Sequence, residues 1–133
     1  MHRISLRGVA IGNITDIVAT YVVLIPLMVY FAISSGLPPA KIFKESTVLY
    51  ISYAILGGVC SVLGGYVSAR IAKHDELLNG ALSSILCVGG GIYAVISGGA
   101  ADDLLMHLVF LPLSPALGAL GGYLRSLQTA RIA

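Results

Sequence analysis

Asp16 is an acid in the middle of oil: it stands within GVAIGNITDIVATYVVLIPLMVYFAI, residues 8–33, where every neighbour but a few is apolar. A carboxyl group in such a place can hold a proton or a cation, and Asn13 and Thr20 could add neutral oxygens. The spacing agrees with one helical face, because Gly8, Gly12, Asp16 and Thr20 recur every four residues with Asn13 beside them. Asp16 lies nine residues beyond Arg7, or ~13 Å along a helix axis. If Arg7 marks a membrane surface, the carboxyl sits below it, and a charge there costs several kcal/mol unless it faces protein or water. Two readings follow. In one, Asp16 is an ion or proton site; in the other it is neutral, or paired with Arg70 or Arg7, and locks helices together.

The remaining reactive side chains give less. Cys60 and Cys87 lie inside apolar stretches, equally spaced about one turn, and read as small hydrophobes at similar depth. His74 and His107 fall near opposite ends of the helical blocks described below and cannot share a metal ion. His74, Asp75 and Glu76 are consecutive loop residues, so they form no hydrolytic triad. Gly89, Gly90 and Gly91 lack the strand and helix context of a phosphate-binding loop. No enzyme and no cofactor is expected. The net charge of +2, with no dense basic run, gives no footprint for nucleic acid.

What positions Asp16 must be a membrane fold. The 133 residues are 57% apolar and 11% charged, against roughly 25% charged in an ordinary soluble domain. A chain this short has room for a single domain, residues 1–133, and too few charges to cover a core from water. Charges and turn residues divide it into four apolar blocks, at about 8–33, 48–69, 77–98 and 104–124. Each reaches the ~20 residues that cross a ~30 Å hydrocarbon layer as a helix. Backbone groups in lipid must be paired within the segment, and blocks so uniformly apolar are not barrel strands. The first block exceeds the apolar core of a cleavable signal and lacks a good cleavage site, so it reads as a retained helix.

The connections fit four helices. Gly36, Pro38 and Pro39 end the first. Residues 70–76 are a short link, so the second and third helices form an antiparallel hairpin, and Asp102 and Asp103 suit the start of the fourth. Arg3, Arg7, Arg70, Lys73, Arg125 and Arg131 fall on one side, and Lys41 and Lys44 on the other. That asymmetry places both termini in the cytoplasm. Pro26, Pro112 and Pro115 should bend their helices.

Small residues form stripes at four-residue spacing: Gly57, Ser61, Gly65 and Ala69; Gly90, Ala94 and Gly98; Ser114, Gly118 and Gly122. Such stripes let membrane helices approach closely, within one chain or between chains. LGGYVSARI at 63–71 is echoed by LGGYLRSLQTARI at 120–132, which convergent use of a glycine pair, a tyrosine and basic residues explains more simply than duplication.

RGVAIGNITDIVATYVV at 7–23 and LGGYVSARIAKHDELLNGALSSIL at 63–86 resemble segments of small four-helix bacterial membrane proteins of unknown function. Asp16, Gly64, Gly65, Tyr66, Arg70, Gly80 and Ala81 carry the likeness. It implies the four-helix topology and draws attention to Asp16 and Arg70, with no activity to transfer. The expectation is an all-α, four-helix membrane bundle acting through packing, as a homo-oligomer or as a subunit of a larger membrane complex. The alternative is a small ion- or proton-coupled transporter or channel-like protein using Asp16.

Overall fold

A computed structural model of the chain describes residues 4–36, 38, 41, 46–97 and 104–132. Five helices occur among these: α1 Leu6–Ser35, α2 Thr47–Ala72, α3 Glu76–Leu82, α4 Ile85–Ile96 and α5 Leu104–Ile132. The all-helical expectation holds for the described residues. α1, α2 and α5 are each long and apolar enough to cross a membrane.

Local chemistry sets the ends. Ser5 accepts the Gly8 N–H at 3.1 Å and Ser46 accepts the Leu49 N–H at 3.2 Å, so both N-termini carry hydroxyl caps. α1 stops at Gly36, whose φ of 66° lets its N–H return to the Ala32 carbonyl. α2 stops at Lys73 in the same left-handed conformation. α5 continues to Ile132, beyond the expected end near 124, because the turns after Leu124 carry no breaking residue.

One expectation needs correction. Residues 77–98 were to form a single helix, but the backbone breaks at Ser83 and Ser84 into a seven-residue α3 and a twelve-residue α4. Serine hydroxyls compete with the helical ladder: Ser83 Oγ donates to the Gly80 carbonyl at 2.6 Å, and the Ser83 N–H is shared between Asn79 and Gly80. Pro26 lies within α1, and Pro112 and Pro115 within α5, without interrupting either helix.

α2 is the centre of the bundle, with α1 against one side and α5 against another; α3 packs on α5 and α2. Glycines carry the closest approaches. A methyl on Gly65 would strike the Gly118 carbonyl, and one on Gly121 the Val62 carbonyl. On Gly80 it would come within 2.6 Å of the Gly118 oxygen. Gly122 meets the Glu76 backbone in the same way.

Burial is inverted relative to a water-soluble helix. On α1 the buried residues are Gly8, Gly12, Asn13, Asp16 and Leu24, while Val18, Val22, Ile25 and Val29 are at least half exposed. Small and polar groups inside with aliphatic groups outside is the arrangement that lipid favours.

The start of α1 and the end of α2 meet around Asn79, which is fully buried. Its side-chain oxygen accepts the Ser5 N–H at 2.8 Å, and its nitrogen donates to the carbonyls of His74 and Asp75 at 2.9 and 3.1 Å. Ser68 Oγ donates to the Asn79 carbonyl at 2.8 Å. This amide therefore ties the start of α1 to the tight turn at 73–75, where Lys73 and Asp75 both have positive φ. Nearby, Tyr66 donates to Gln128 and Thr129 to Glu76, joining α5 to the same end.

Candidate functional site

The face of α1 that carries Asp16 packs on α2 because neither helix has a side chain in the way. A methyl on Gly12 would lie 2.6 Å from Ser68 Cβ and 2.8 Å from the Gly64 carbonyl. One on Gly64 would lie 2.8 Å from Asp16 Cβ. At this separation the Ser61 hydroxyl reaches the carboxyl group, 3.2 Å from Oδ2 and 3.3 Å from Oδ1. The Cys87 thiol donates to Oδ2 at 3.6 Å, and Thr20 is a further hydrogen-bonding neighbour. Asp16 is 1% exposed.

One turn before it, Asn13 closes the broken helix. Its Nδ2 donates to the Leu82 carbonyl at 3.3 Å and to its own helix at Val9, and its Oδ1 accepts the Leu86 N–H at 3.2 Å. One carboxamide thus satisfies an orphan carbonyl at the end of α3 and an orphan N–H at the start of α4. The break also swings Cys87, in the first turn of α4, onto Asp16. The N-terminal end of α4, with its partial positive charge, lies beside the carboxyl group.

Asp16 forms part of the wall of a half-open cavity of about 310 Å³ between α1, α2, α4 and α5. Thr20, Ser61, Cys87 and Ser114 give the wall its other small polar groups. Tyr50, Tyr53 and Phe110 add aromatic rings, and the remainder is aliphatic or glycine. Ser114 Oγ is buried with no hydrogen-bond partner, and so is Ser84 Oγ near the break. No Lys or Arg lies in the described lining.

The predicted residues divide accordingly. Asp16, Asn13 and Thr20 come together on one face of α1. Arg70 does not join them: it is exposed in the last turn of α2, and Arg7 is exposed too. The pairing of Asp16 with either arginine is replaced by hydrogen bonds from uncharged groups. Gly65, Gly118 and Gly122 are tight packing positions, whereas Ser61 serves the carboxyl group and Gly57 faces the cavity. Gly90 is exposed, and nothing stands within 4 Å of where its Cβ would be. Ala94 belongs to α4; Gly98, Asp102 and Asp103 lie outside the described residues.

Cys60 is buried, as a small hydrophobe would be, but Cys87 is exposed and a partner of Asp16. That role was not visible in the sequence, nor was the part played by Asn79. Among the described residues no group of three His, Cys, Asp or Glu is placed to hold a metal ion. No protein-family model, no curated protein and no solved structure matches this chain.

Proposed function

We propose that this chain is a small bacterial inner-membrane protein that uses Asp16 as the ion or proton site of a transporter or channel-like activity. The observation that carries the reading is a carboxyl group in the wall of a cavity, served by hydroxyl and thiol groups and, among the described residues, by no cation. A carboxyl retained only to lock a bundle needs no cavity beside it. Intramembrane acids that face a cavity mark ion and proton paths, and discontinuous helices commonly build such sites.

In this reading the chain crosses the bilayer four times, with α3 and α4 together forming the third crossing. The basic ends of α1, α2 and α5 lie in the cytoplasm, in keeping with the excess of Lys and Arg there. The test is proton entry into proteoliposomes under an imposed pH gradient. Wild-type protein conducts and Asp16→Asn does not; equal flux in both removes the site, and no flux in either removes the class.

A packing role as a homo-oligomer, or as a subunit of a larger membrane complex, is the second reading. It draws on Gly89 and Gly90, which leave open space along α4. Crosslinking in native membranes decides it: a chain that remains monomeric and crosslinks to nothing has no such role.

A further inference from the structure

Resting on the reading of Asp16 as a cation site, we infer that the cavity takes a small lipophilic organic cation, one positive charge on an apolar or aromatic body. Size is the first argument. About 310 Å³ far exceeds what a proton site requires, and lies at the small end of the roughly 300–1,000 Å³ of pockets for organic ligands. Composition is the second. A hard metal ion wants about six oxygens converging on one point. Here the single carboxyl group sits on one wall, and Leu24, Val88, Leu111 and Leu117 supply much of the rest. Such walls repel a bare ion and accept a hydrocarbon body.

Aromatic character is the third argument. Tyr50, Tyr53 and Phe110 line the same space, and aromatic faces attract organic cations. Charge neutralisation comes from Asp16, the only acid in the described lining. The unpartnered Ser114 hydroxyl offers an oxygen to the same guest. A quaternary ammonium bearing one ring suits this wall, its charge beside Asp16 and its ring among Tyr50, Tyr53 and Phe110.

The experiment is binding of radiolabelled phenyltrimethylammonium to the full chain in lipid nanodiscs, with empty nanodiscs subtracted. Three competitors or variants accompany it: the neutral isostere tert-butylbenzene, potassium chloride, and the pair Asp16→Asn and Gly57→Leu. Gly57 lines the cavity with open space at its Cβ, so leucine there fills the guest's volume and leaves Asp16 in place. Saturable binding is expected, weakened about tenfold or more by each substitution and resisting both competitors. Displacement by the neutral isostere would reduce the site to an apolar pocket, and displacement by potassium would make it a bare-ion site. Binding undiminished in Gly57→Leu overturns the inference even where Asp16→Asn fails to fold. Proton flux that depends on Asp16 without cation binding leaves the transport reading standing and this inference fallen. Cation binding that depends on Asp16 without any flux does the reverse.

Discussion

Asn13 on α1 accepts the backbone N–H of Leu86 at 3.2 Å and so holds the start of α4 against the helix that carries Asp16. Its amide nitrogen holds the Leu82 carbonyl on the other side of the break. Replacing Asn13 by leucine keeps the volume and removes both bonds. Interhelical hydrogen bonds in membranes contribute about 0.6 kcal/mol on average and up to about 1.7. Asn13→Leu should therefore cost roughly 1–3 kcal/mol, read as a lower midpoint in detergent unfolding. An unchanged midpoint would mean that the break is held by other contacts.

The long helices were legible because their apolar runs exceed what any soluble element needs, and the caps at Gly36 and Lys73 lie close to the expected ends. The break at Ser83 and Ser84 was not legible. A serine pair inside an apolar run usually stays helical by bonding to the preceding turn, and here only distant groups make the gap tolerable: Asn13 across it, and Gly80 against Gly118. Those contacts are separated by tens of residues, so no local pattern announces them. Asn79 was overlooked for the same reason, although an amide two residues inside an apolar block was a signal that could have been read. Asp16 was found from its chemistry alone. Of the neighbours weighed for it, Thr20 stands beside the carboxyl group while Arg7 and Arg70 are exposed elsewhere, and the fold adds hydroxyl and thiol donors from Ser61 and Cys87.

Glycines that look alike in the sequence should differ sharply on substitution. Gly65→Ala and Gly121→Ala drive a methyl into a backbone carbonyl of another helix, which should cost about 1–3 kcal/mol or more. Gly89→Ala and Gly90→Ala meet open space. There the usual advantage of alanine in a helix, up to about 1 kcal/mol, should appear as a gain. Thermal unfolding of the monomer separates the two pairs. A loss at Gly89 or Gly90 that appears only in native membranes would reveal a partner helix on that face.

Asn79 and Tyr66 both make hydrogen bonds near the basic end of the bundle, with different surroundings. Asn79→Leu removes the side-chain bonds to Ser5, His74 and Asp75 from a fully buried site and frees the turn at 73–75. A loss of roughly 2–5 kcal/mol follows at the membrane value per bond. Tyr66→Phe removes one exposed bond to Gln128 and should stay within about 0.5 kcal/mol of the parent. Equal effects would show that this end is held by apolar packing instead of by the amide.

Asp16→Asn should leave the fold standing, since a carboxamide keeps the shape and still offers Ser61 an acceptor. Its midpoint should remain within about 1 kcal/mol of wild type while proton flux is lost. A structural acid gives the opposite pattern, with weakened folding and no activity to lose.

Ser114 offers a complementary measurement. Its hydroxyl is buried without a partner beside the cavity, and an unsatisfied group of that kind is a cost to the fold of about 1–3 kcal/mol. Ser114→Ala removes the group, so the variant should be as stable as the parent or more so. If the hydroxyl serves the guest of the cavity, the same substitution should weaken proton flux or cation binding. Stability and activity would then move in opposite directions, which a residue retained for packing cannot produce. A variant that is less stable and fully active would assign Ser114 to the helix interface and take it out of the site.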